Sequence, residues 1–403
     1  MTQRIVVVGA GFAGMWSALA AARVLHGAGE AGGSVEIALI APEPALHVRP
    51  RFYEPNPSAM KAPLEDVFEA VGIRYAQGTV EEIRTEKHEV EAKRADGSRF
   101  TMAYDRLVLA AGSRLFRPEL PGLREHAFSV DQLEEAAELE SHLVALAALP
   151  CTRARNTVVI AGGGFTGIEI AAEMPARLRA ILGDSTDVQV IIVEAAEEIG
   201  PDLGPGPRPI IQQALTDLGV AWRVNAAVTA IDADGLSTSS GERIETQTVI
   251  WTAGLRASPL TEQVKARRDR VGRLHVDADL RVEGVRDIFA TGDVALAATD
   301  GEGHHAMMSC QHAMNLGRFA GHNVAADLVG QATIPYSQPK YVTCLDLGPW
   351  GAVFTEGWER KVKMAGADAK QLKRRINCEW IYPPRADRAE ILAAADPTRT
   401  VVA

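Results

Sequence analysis

The chain has 403 residues, 47% of them hydrophobic, so it is long enough for about two or three domains with large buried cores. Its 52 acidic residues outnumber 42 basic ones, and the resulting net charge of −10 argues against nucleic acid as a partner and against electrostatic attachment to an anionic membrane. Four widely spaced cysteines predict neither a disulfide framework nor a metal site, and no apolar run reaches the roughly 18 residues of a membrane span.

The first predicted elements are a strand, a glycine turn and a helix, in RIVVVGAGFAGMWSALAAAR from Arg4 to Arg23. The opening residues form an apolar β-branched run that is typical of a buried parallel strand. Gly9, Gly11 and Gly14 then give G-x-G-x-x-G: the first glycine allows the tight turn, the second lets a pyrophosphate approach and the third lets helix pack on strand. Because the helix N-terminus also offers free N–H groups, this stretch predicts a dinucleotide site.

A second strand follows at Val35 to Ile40, and an acidic residue usually ends this strand to hold the adenosine ribose. Here the position is Ala41, and Glu43 is the nearest acid, so Glu43 is assigned the ribose role. The proline-rich segment from 47 to 57 predicts irregular structure. Short strands then lead to a strand over 105–110 that ends at Ala111-Gly112-Ser113.

The same pattern recurs in the middle of the chain. Thr157 to Ala161 is a predicted strand, Gly162 to Gly167 a second glycine turn, and the strand Val188 to Val193 ends in the acid Glu194. A repeat this long indicates two nucleotide-binding domains, the second inserted into the first. The predicted limits are 1–120 and 271–333 for the first domain, 121–270 for the second and 334–403 for a C-terminal domain with strands and a helix over 367–377.

Five motifs, in this order, resemble the two-dinucleotide flavoproteins that include glutathione reductase, and within them the type II NADH:quinone dehydrogenases. They are VVVGAGFAG (6–14), YDRLVLAAGS (104–113), VVIAGGGFTGIEIAAEM (158–174), VIWTAGLRASPL (249–260) and IFATGDVA (288–295). The resemblance implies an α/β fold with two Rossmann-like domains, FAD on the first, NADH on the second, and hydride transfer between them. It also implies a small-molecule acceptor, a quinone, that removes two electrons from the flavin.

Two features place the chain within that family. No cysteine occurs between residues 40 and 100, where glutathione-reductase relatives carry a redox pair. The segment SCQHAMNLGRFAGHNV (309–324) resembles the A-Q-x-A-x-Q-x-G element on the quinone side of the flavin in type II dehydrogenases. In it Cys310 replaces the usual alanine and Asn315 the second glutamine.

The resemblance implies the following site residues. Glu169 and Gln311 are the predicted catalytic residues, beside the nicotinamide and on the quinone face of the flavin. The predicted FAD-binding residues are Gly9, Gly11, Phe12, Ala13, Gly14, Glu43, Arg49, Pro50, Val80, Ala111, Gly112, Gly292, Asp293 and Gln311. The predicted NADH-binding residues are Gly162, Gly164, Phe165, Thr166, Gly167, Glu194, Ala253 and Gly254.

Several alternatives stay open. Glu194 would repel a 2′-phosphate and so favours NADH over NADPH. The C-terminal sequence lacks the Trp-, Phe- and Lys-rich helices by which type II dehydrogenases dock on membranes, so a soluble NADH oxidase or a reductase for soluble quinones or dyes remains a candidate. The others are a sulfide:quinone oxidoreductase, which would use Cys151 and Cys344, and a non-catalytic NADH sensor. The expected location is the cytoplasm or the inner membrane face, and a homodimer is left open.

Overall fold

The chain is a mixed α/β protein built on two five-stranded parallel sheets, and the computed structural model describes residues 2–399. Up to residue 115 the elements are β1 (Gln3–Val8), α1 (Phe12–Gly27), α2 (Glu30–Gly33), β2 (Val35–Ala41), β3 (Ala45–His47), β4 (Lys61–Pro63), α3 (Glu65–Ala70), β5 (Arg74–Gln77), β6 (Thr79–Arg84), β7 (Glu89–Lys93), β8 (Arg99–Ala103), β9 (Arg106–Leu109) and β10 (Ser113–Leu115).

The middle of the chain contains α4 (Leu123–His126), β11 (Ala127–Phe128), α5 (Leu133–Ala145), α6 (Arg153–Asn156), β12 (Thr157–Ala161), α7 (Phe165–Leu182), β13 (Gln189–Val193), α8 (Arg208–Leu218), β14 (Val220–Arg223), β15 (Val228–Asp232), β16 (Gly235–Thr238), β17 (Arg243–Glu245), β18 (Thr248–Trp251) and β19 (Leu255–Ala257). The last part contains β20 (Leu274–His275), β21 (Ile288–Ala290), β22 (Ala295–Leu296), α9 (Cys310–Leu328), β23 (Val342–Asp346), β24 (Ala352–Glu356), β25 (Lys361–Gly366), α10 (Ala367–Arg375) and α11 (Arg388–Ala394).

The two parallel sheets show how the chain is interleaved. The first has the order β21-β9-β1-β2-β5, and the second has the order β11-β18-β12-β13-β14. Strand β9 precedes the second sheet in sequence and its partner β21 follows it, so the second unit is inserted into the first. The antiparallel pair β10 and β19 carries the chain out of the first unit and back. This confirms the predicted fold class; the residue limits of the domains stay a prediction, and residues 1 and 400–403 lie outside the described part.

Helices α1 and α9 pack closely against each other beside the first sheet. Both Gly317 and Gly321 lie against the α1 backbone: a β-carbon at Gly317 would lie 2.5 Å from the Ala13 carbonyl oxygen, and one at Gly321 would overlap that of Ser17. Because small residues allow this approach, the first turn of α9 lies close to the first glycine turn. The helix contact therefore brings residues 309–315 to the predicted flavin site.

The structure corrects three details of the predicted elements. The loop expected over 27–33 contains the short helix α2, and the helix expected over 367–377 ends at Arg375 and continues as a single π turn, Ile376–Trp380. A further helix, α11, was not predicted because its seven residues are too few to show periodicity. Asp387 caps it through Glu390 N–H, and Ile391 is fully buried. Within residues 2–399, no helix combines the length and apolar character needed to cross a bilayer.

Candidate functional site

The first glycine turn has the geometry of a dinucleotide cradle. Gly9 has φ +106°, and a β-carbon there would lie 2.5 Å from the carbonyl oxygen of Ala110. A β-carbon on Gly14 would overlap the Gly9 carbonyl oxygen, so the start of α1 packs directly on the turn. Gly11 differs from both because no atom lies within 4 Å of its β-carbon position. The turn is closed where strand meets helix and open where a pyrophosphate would approach.

The second turn repeats this arrangement residue for residue. Gly162 has φ +115°, and a β-carbon on Gly167 would overlap the Gly162 carbonyl oxygen. No atom lies within 4 Å of the β-carbon position of Gly164. The eighteen-residue α7 begins at Phe165, half-buried, and Thr166, exposed, so its first N–H groups face the open side. Two cradles of the same shape fit two dinucleotides.

Strand register identifies the positions for a ribose-binding acid. Val8 pairs with Ile40, and Ala161 pairs with Val193, so Ala41 in the first unit is equivalent to Glu194 in the second. The Glu194 carboxylate is nearly buried and accepts hydrogen bonds from Gly163 N–H at 2.6 Å and Ala196 N–H at 2.8 Å. It therefore lies against its own glycine turn, where a ribose would bind.

Glu43, assigned to the ribose of the first unit, lies two residues beyond the equivalent position. Its carboxylate pairs with His47, four residues along the chain, and with Lys61 Nζ at 3.1 Å. These contacts hold it beside the β3–β4 hairpin, and the pKa of Glu43 is lowered because the hydrogen bonds to His47 and Lys61 outweigh its burial. Its role toward FAD stays a prediction.

Arg49 and Asp293, predicted to bind FAD, lie together with a serine between them. Ser113 Oγ donates to Asp293 Oδ2 at 2.6 Å, and Arg49 Nη1 donates to the Ser113 carbonyl at 3.3 Å and lies 3.9 Å from Asp293 Oδ2. Gly292, with φ +68°, turns the chain so that a β-carbon there would lie 2.7 Å from Ala13. Asp293 is therefore held beside the first glycine turn, between α1 and β10.

Asp131 completes this group and was not found by sequence reasoning. Its carboxylate forms an ion pair with Arg49 Nη2 and accepts from Leu115 N–H at 3.0 Å, while its carbonyl accepts from Arg49 Nε. The side chain is only 7% exposed. Asp131 thus ties the loop of Arg49 to the crossing strand β10 and binds the Nη2 side of the guanidinium, which leaves only the longer Nη1 contact to Asp293.

Replacing Asp131 with Asn should weaken FAD binding by about tenfold, the loss expected for one charge-assisted hydrogen bond. Asp293 is then the nearest carboxylate to Arg49, and pairing between them would take Asp293 from its position on the Ser113 hydroxyl. The measurement is a titration of apoprotein with FAD, followed by flavin fluorescence. Glu134→Gln, which removes an exposed charge nearby, is the control, and unchanged FAD affinity in the Asp131 variant would refute this positioning role.

Glu169 lies in a buried charged network that links α7 to the C-terminal sheet. Its Oε1 accepts from Lys373 Nζ at 2.8 Å and from Asp346 N–H at 3.0 Å. The side chains of Glu169 and Lys373 are 5% and 6% exposed. Lys370 Nζ bonds Asp346 Oδ1 at 2.5 Å, and Tyr53 OH donates to Asp346 Oδ2 at 3.0 Å. Lys370 Nζ also bonds Glu173 Oε1 at 3.2 Å, so the network contains two ammonium groups and three carboxylates, with Glu169 and Lys373 its most buried pair.

Burial and the mutual attraction of Glu169 and Lys373 together set the titration of this network. It raises the pKa of Glu169 to about 7, although the Lys373 ammonium opposes the shift. For Lys373 burial alone would lower the pKa, but the Glu169 carboxylate more than offsets it, so the pKa is raised and the amine stays charged. Glu169 can consequently exchange a proton near neutral pH, as a general acid or base requires.

Gln311 is half-buried on the first turn of α9, next to Cys310. Cys310 is half-buried, and the burial of its thiol raises the pKa of that group to about 11, so it stays protonated. Asn315, one turn further on, donates to Gln338 Oε1 at 3.1 Å, a contact outside the resembling element. The Ser309 hydroxyl caps the helix by accepting from His312 N–H.

The remaining predicted residues lie around the two cradles. Ala111 and Gly112 follow β9, and Ala253 and Gly254 follow β18, at the carboxyl edges of the two sheets. Pro50 lies in a 3₁₀ turn with Arg49. Val80 is buried in the core on β6.

The two cysteines weighed for sulfide chemistry lie beside opposite edges of the second sheet, Cys344 on β23 of the C-terminal sheet and Cys151 in the loop that leads to β12. Cys344 is buried, and its carbonyl accepts from Lys373 beside Glu169, near the carboxyl edge. Cys151 is exposed and precedes β12 at the amino edge. A five-residue strand spans about 17 Å, so these thiols do not form a pair.

Two glycine cradles at the carboxyl edges of two parallel sheets, one unit inserted into the other, define a two-dinucleotide oxidoreductase. The chain belongs to the pyridine nucleotide-disulphide oxidoreductase family, whose model matches residues 3–317. The predicted family is confirmed, and FAD and NADH are confirmed as the cofactors at the level of that family.

Similar proteins are found over nearly the whole chain. An NADH dehydrogenase-like protein of Mycobacterium tuberculosis is 47% identical over 403 residues, covering 98% of each chain. A type II NADH:quinone oxidoreductase of Staphylococcus haemolyticus is 26% identical over 363 residues, covering 86% of this chain and 88% of its own. Among solved structures, NDH2 from Plasmodium falciparum in complex with NADH has a TM-score of 0.78 at 14% identity and covers 98% of each chain, a likeness of fold.

Proposed function

We propose that this protein is an FAD-dependent NADH dehydrogenase that passes two electrons to a quinone or a similar small acceptor. The observation that carries the proposal is the pair of equivalent cradles, in which free space lies beside Gly11 in the first turn and beside Gly164 in the second. FAD, when bound, would supply the redox chemistry by taking hydride from NADH and reducing the acceptor.

The residues of each unit would bind and orient one dinucleotide. The turn at Gly11 would take the FAD pyrophosphate on the N-terminus of α1, with Asp293, fixed by Ser113, bonding the ribityl region. In the second unit, the turn at Gly164 would take the NADH pyrophosphate. Glu194 would accept the ribose hydroxyls and repel a 2′-phosphate, which selects NADH over NADPH.

Glu169 is predicted beside the nicotinamide, and we assign its buried network the further role of supplying protons at the acceptor. Lys373 supplies a fixed positive charge, and the Glu169 carboxyl can hold or release a proton near pH 7 through Oε2, because Oε1 accepts from Lys373 and from Asp346 N–H. Reducing a quinone by two electrons requires two protons, so a protonated Glu169 is suited to deliver one of them. Gln311, on the first turn of α9, would line the acceptor face.

The C-terminal helix favours a second candidate, a reductase for soluble quinones or dyes. The apolar side of α11 packs on α1 through Ile391, and Arg23 bonds Asp396 at 2.6 Å just beyond the helix. This apolar side is therefore buried within the protein rather than free to dock on a lipid surface. Similar proteins that are named as quinone reductases support a quinone as the class of acceptor, and both lipid-soluble and water-soluble quinones belong to that class.

The visible spectrum of the purified flavoprotein under argon tests the proposal. NADH should bleach the flavin band while NADPH does not, and a soluble quinone such as menadione should restore the band promptly. Recovery only after air is admitted would rule out quinone as the acceptor and make the protein an oxidase or a sensor. Bleaching by NADPH as fast as by NADH would refute the role given to Glu194.

A further inference from the structure

A group of side chains joins the first turn of α9, just after Gln311, to the turn between β24 and β25. We call it the aromatic cluster, and it consists of His304, His312, Tyr341, Trp358 and Arg360. Its ring centroids lie 4.5 Å apart for His304 and Trp358, 4.4 Å for Trp358 and Tyr341, and 5.2 Å for Tyr341 and His312. The guanidinium carbon of Arg360 lies 5.0 Å from the centroid of the Tyr341 ring.

Three nitrogen atoms of this cluster are buried without a hydrogen-bond partner among residues 2–399: His312 Nε2, Trp358 Nε1 and Arg360 Nη1. His312 has no exposed surface, and Arg360 is 9% exposed. Buried polar groups in native proteins nearly always have a partner, and an orphaned group indicates a bound water or ion. Three of them in one cluster indicate an occupant that accepts hydrogen bonds.

The charge around the cluster points to an anion as that occupant. Arg360 forms no ion pair within 4 Å among residues 2–399. The acid that faces the cluster is Asp202, which adds to burial in raising the pKa of Tyr341, while Arg360 opposes that shift. The acid nearest His304, Asp300, is bonded to His304 Nδ1 at 2.7 Å. The nineteen-residue helix α9 adds the partial positive charge of its N-terminus, and His312 stands in its first turn. A nearly buried guanidinium that has no carboxylate in ion-pair contact is stabilised by a negative group placed beside it.

His312 is oriented to contribute a donor. Its Nδ1 lies 3.0 Å from the hydroxyl of Ser309, the residue that caps α9, and this contact leaves Nε2 on the other side of the ring without a partner. When the serine hydroxyl donates to Nδ1, Nε2 carries the hydrogen. Burial and the nearby Arg360 charge lower the pKa of His312 to about 4, so the ring is neutral at physiological pH.

We infer that the aromatic cluster binds a compact monoanion, either a halide or the carboxylate of a small organic acid, between Arg360, His312 and Trp358. Arg360 would supply the charge and a planar pair of donors, and His312 and Trp358 would each add one N–H. The site is separate from both glycine cradles. It does not depend on the acceptor proposed above.

The thermal unfolding midpoint of the FAD-loaded protein tests this inference. Bromide replaces a bulky sulfonate at constant ionic strength, so that only specific binding raises the midpoint. The wild-type midpoint should rise by at least 2 °C, and the rise should be lost in Arg360→Gln. Lys361→Gln, which removes an exposed neighbouring charge, is the matched control and should keep the full rise.

Trp358→Phe keeps the stacked ring but removes one donor, so the bromide concentration that gives half the effect should rise about tenfold. This variant keeps the test decisive if Arg360→Gln fails to fold. A second arm replaces bromide with acetate: an equal response identifies a carboxylate site, and a response to bromide alone identifies a halide site.

Crystals soaked in bromide provide the direct check. An anomalous peak within hydrogen-bond distance of Arg360 Nη1 and His312 Nε2 is expected. The inference is overturned if water occupies that position and no peak appears, or if the midpoint rises equally in wild type and Arg360→Gln.

Discussion

Gly11→Ala is expected to give a folded protein that retains less than one tenth of the wild-type FAD. Gly164→Ala is expected to give a yellow protein with its full FAD content but with a KM for NADH at least 30-fold higher than that of the wild type. Neither substitution strains the chain, because both glycines have extended backbone and no atom within 4 Å of the β-carbon position. The added methyl group instead enters the space through which each pyrophosphate would approach its turn. The effects should therefore fall on different cofactors.

Flavin content per chain and steady-state kinetics with NADH measure the two effects. Gly27→Ala, in an exposed position at the end of α1 with no neighbour within 4 Å, is the control. The free energy of unfolding of all three apoproteins should stay within about 1 kcal/mol of wild type. If Gly11→Ala keeps its flavin, or Gly164→Ala loses flavin and not NADH affinity, the assignment of the two cradles is wrong.

Lys373→Met should destabilise the protein by about 3–5 kcal/mol at pH 8, because it leaves the buried Glu169 without its countercharge. The loss should be smaller at pH 6. The folded-state pKa of Glu169 already lies above its unfolded value, and removing Lys373 raises it further. At a pH between the unfolded-state and folded-state pKa values of Glu169, the unfolded chain has released the proton and the folded chain still holds it. The free energy of unfolding therefore falls as pH rises through that range, and the range is wider in the variant.

Urea unfolding at pH 6 and pH 8 measures this difference. Lys363→Met, which removes a half-exposed charge on the neighbouring strand β25, should change stability by less than about 0.5 kcal/mol. Adding Glu169→Gln to Lys373→Met should restore much of the loss and remove its pH dependence. A Lys373→Met variant with the same loss at both pH values would show that Glu169 does not titrate as described.

Glu169→Gln alone separates the two half-reactions. The carboxamide cannot deliver a proton, so quinone-dependent reoxidation of the flavin should slow on the order of 100-fold and lose its pH dependence near 7. Bleaching by NADH should change much less. Stopped-flow spectra of each half-reaction make the comparison, and equal slowing of both would assign Glu169 to the nicotinamide side instead.

Local sequence predicted the parts of the site that depend on local geometry. A glycine turn between a strand and a helix encodes its own shape, and both cradles have it, from the positive φ of Gly9 and Gly162 to the open faces of Gly11 and Gly164. The order of these units along the chain also predicted that one is inserted in the other.

Partners that are distant in sequence could not be predicted in this way. Lys373 lies 204 residues from Glu169, in a basic run of α10 that gave no sign that one of its members is buried. Asp131 lies 82 residues from Arg49 and carries no motif. The unpaired nitrogens of the aromatic cluster come together only because the turn between β24 and β25 packs against the first turn of α9. In each case the chemistry arises from tertiary packing.

The insertion of one unit into the other has a consequence for biosynthesis. Strand β9 leaves the ribosome early, but β21, which covers its edge, and Asp293, which follows β21, emerge only after the whole inserted unit has been made. At about 5–20 residues per second this interval lasts on the order of ten seconds. The nascent chain must keep an unpaired strand edge from aggregating during that time, while the inserted unit is already able to fold. Flavin loading is therefore expected only after the inserted unit has been made and Asp293 has emerged.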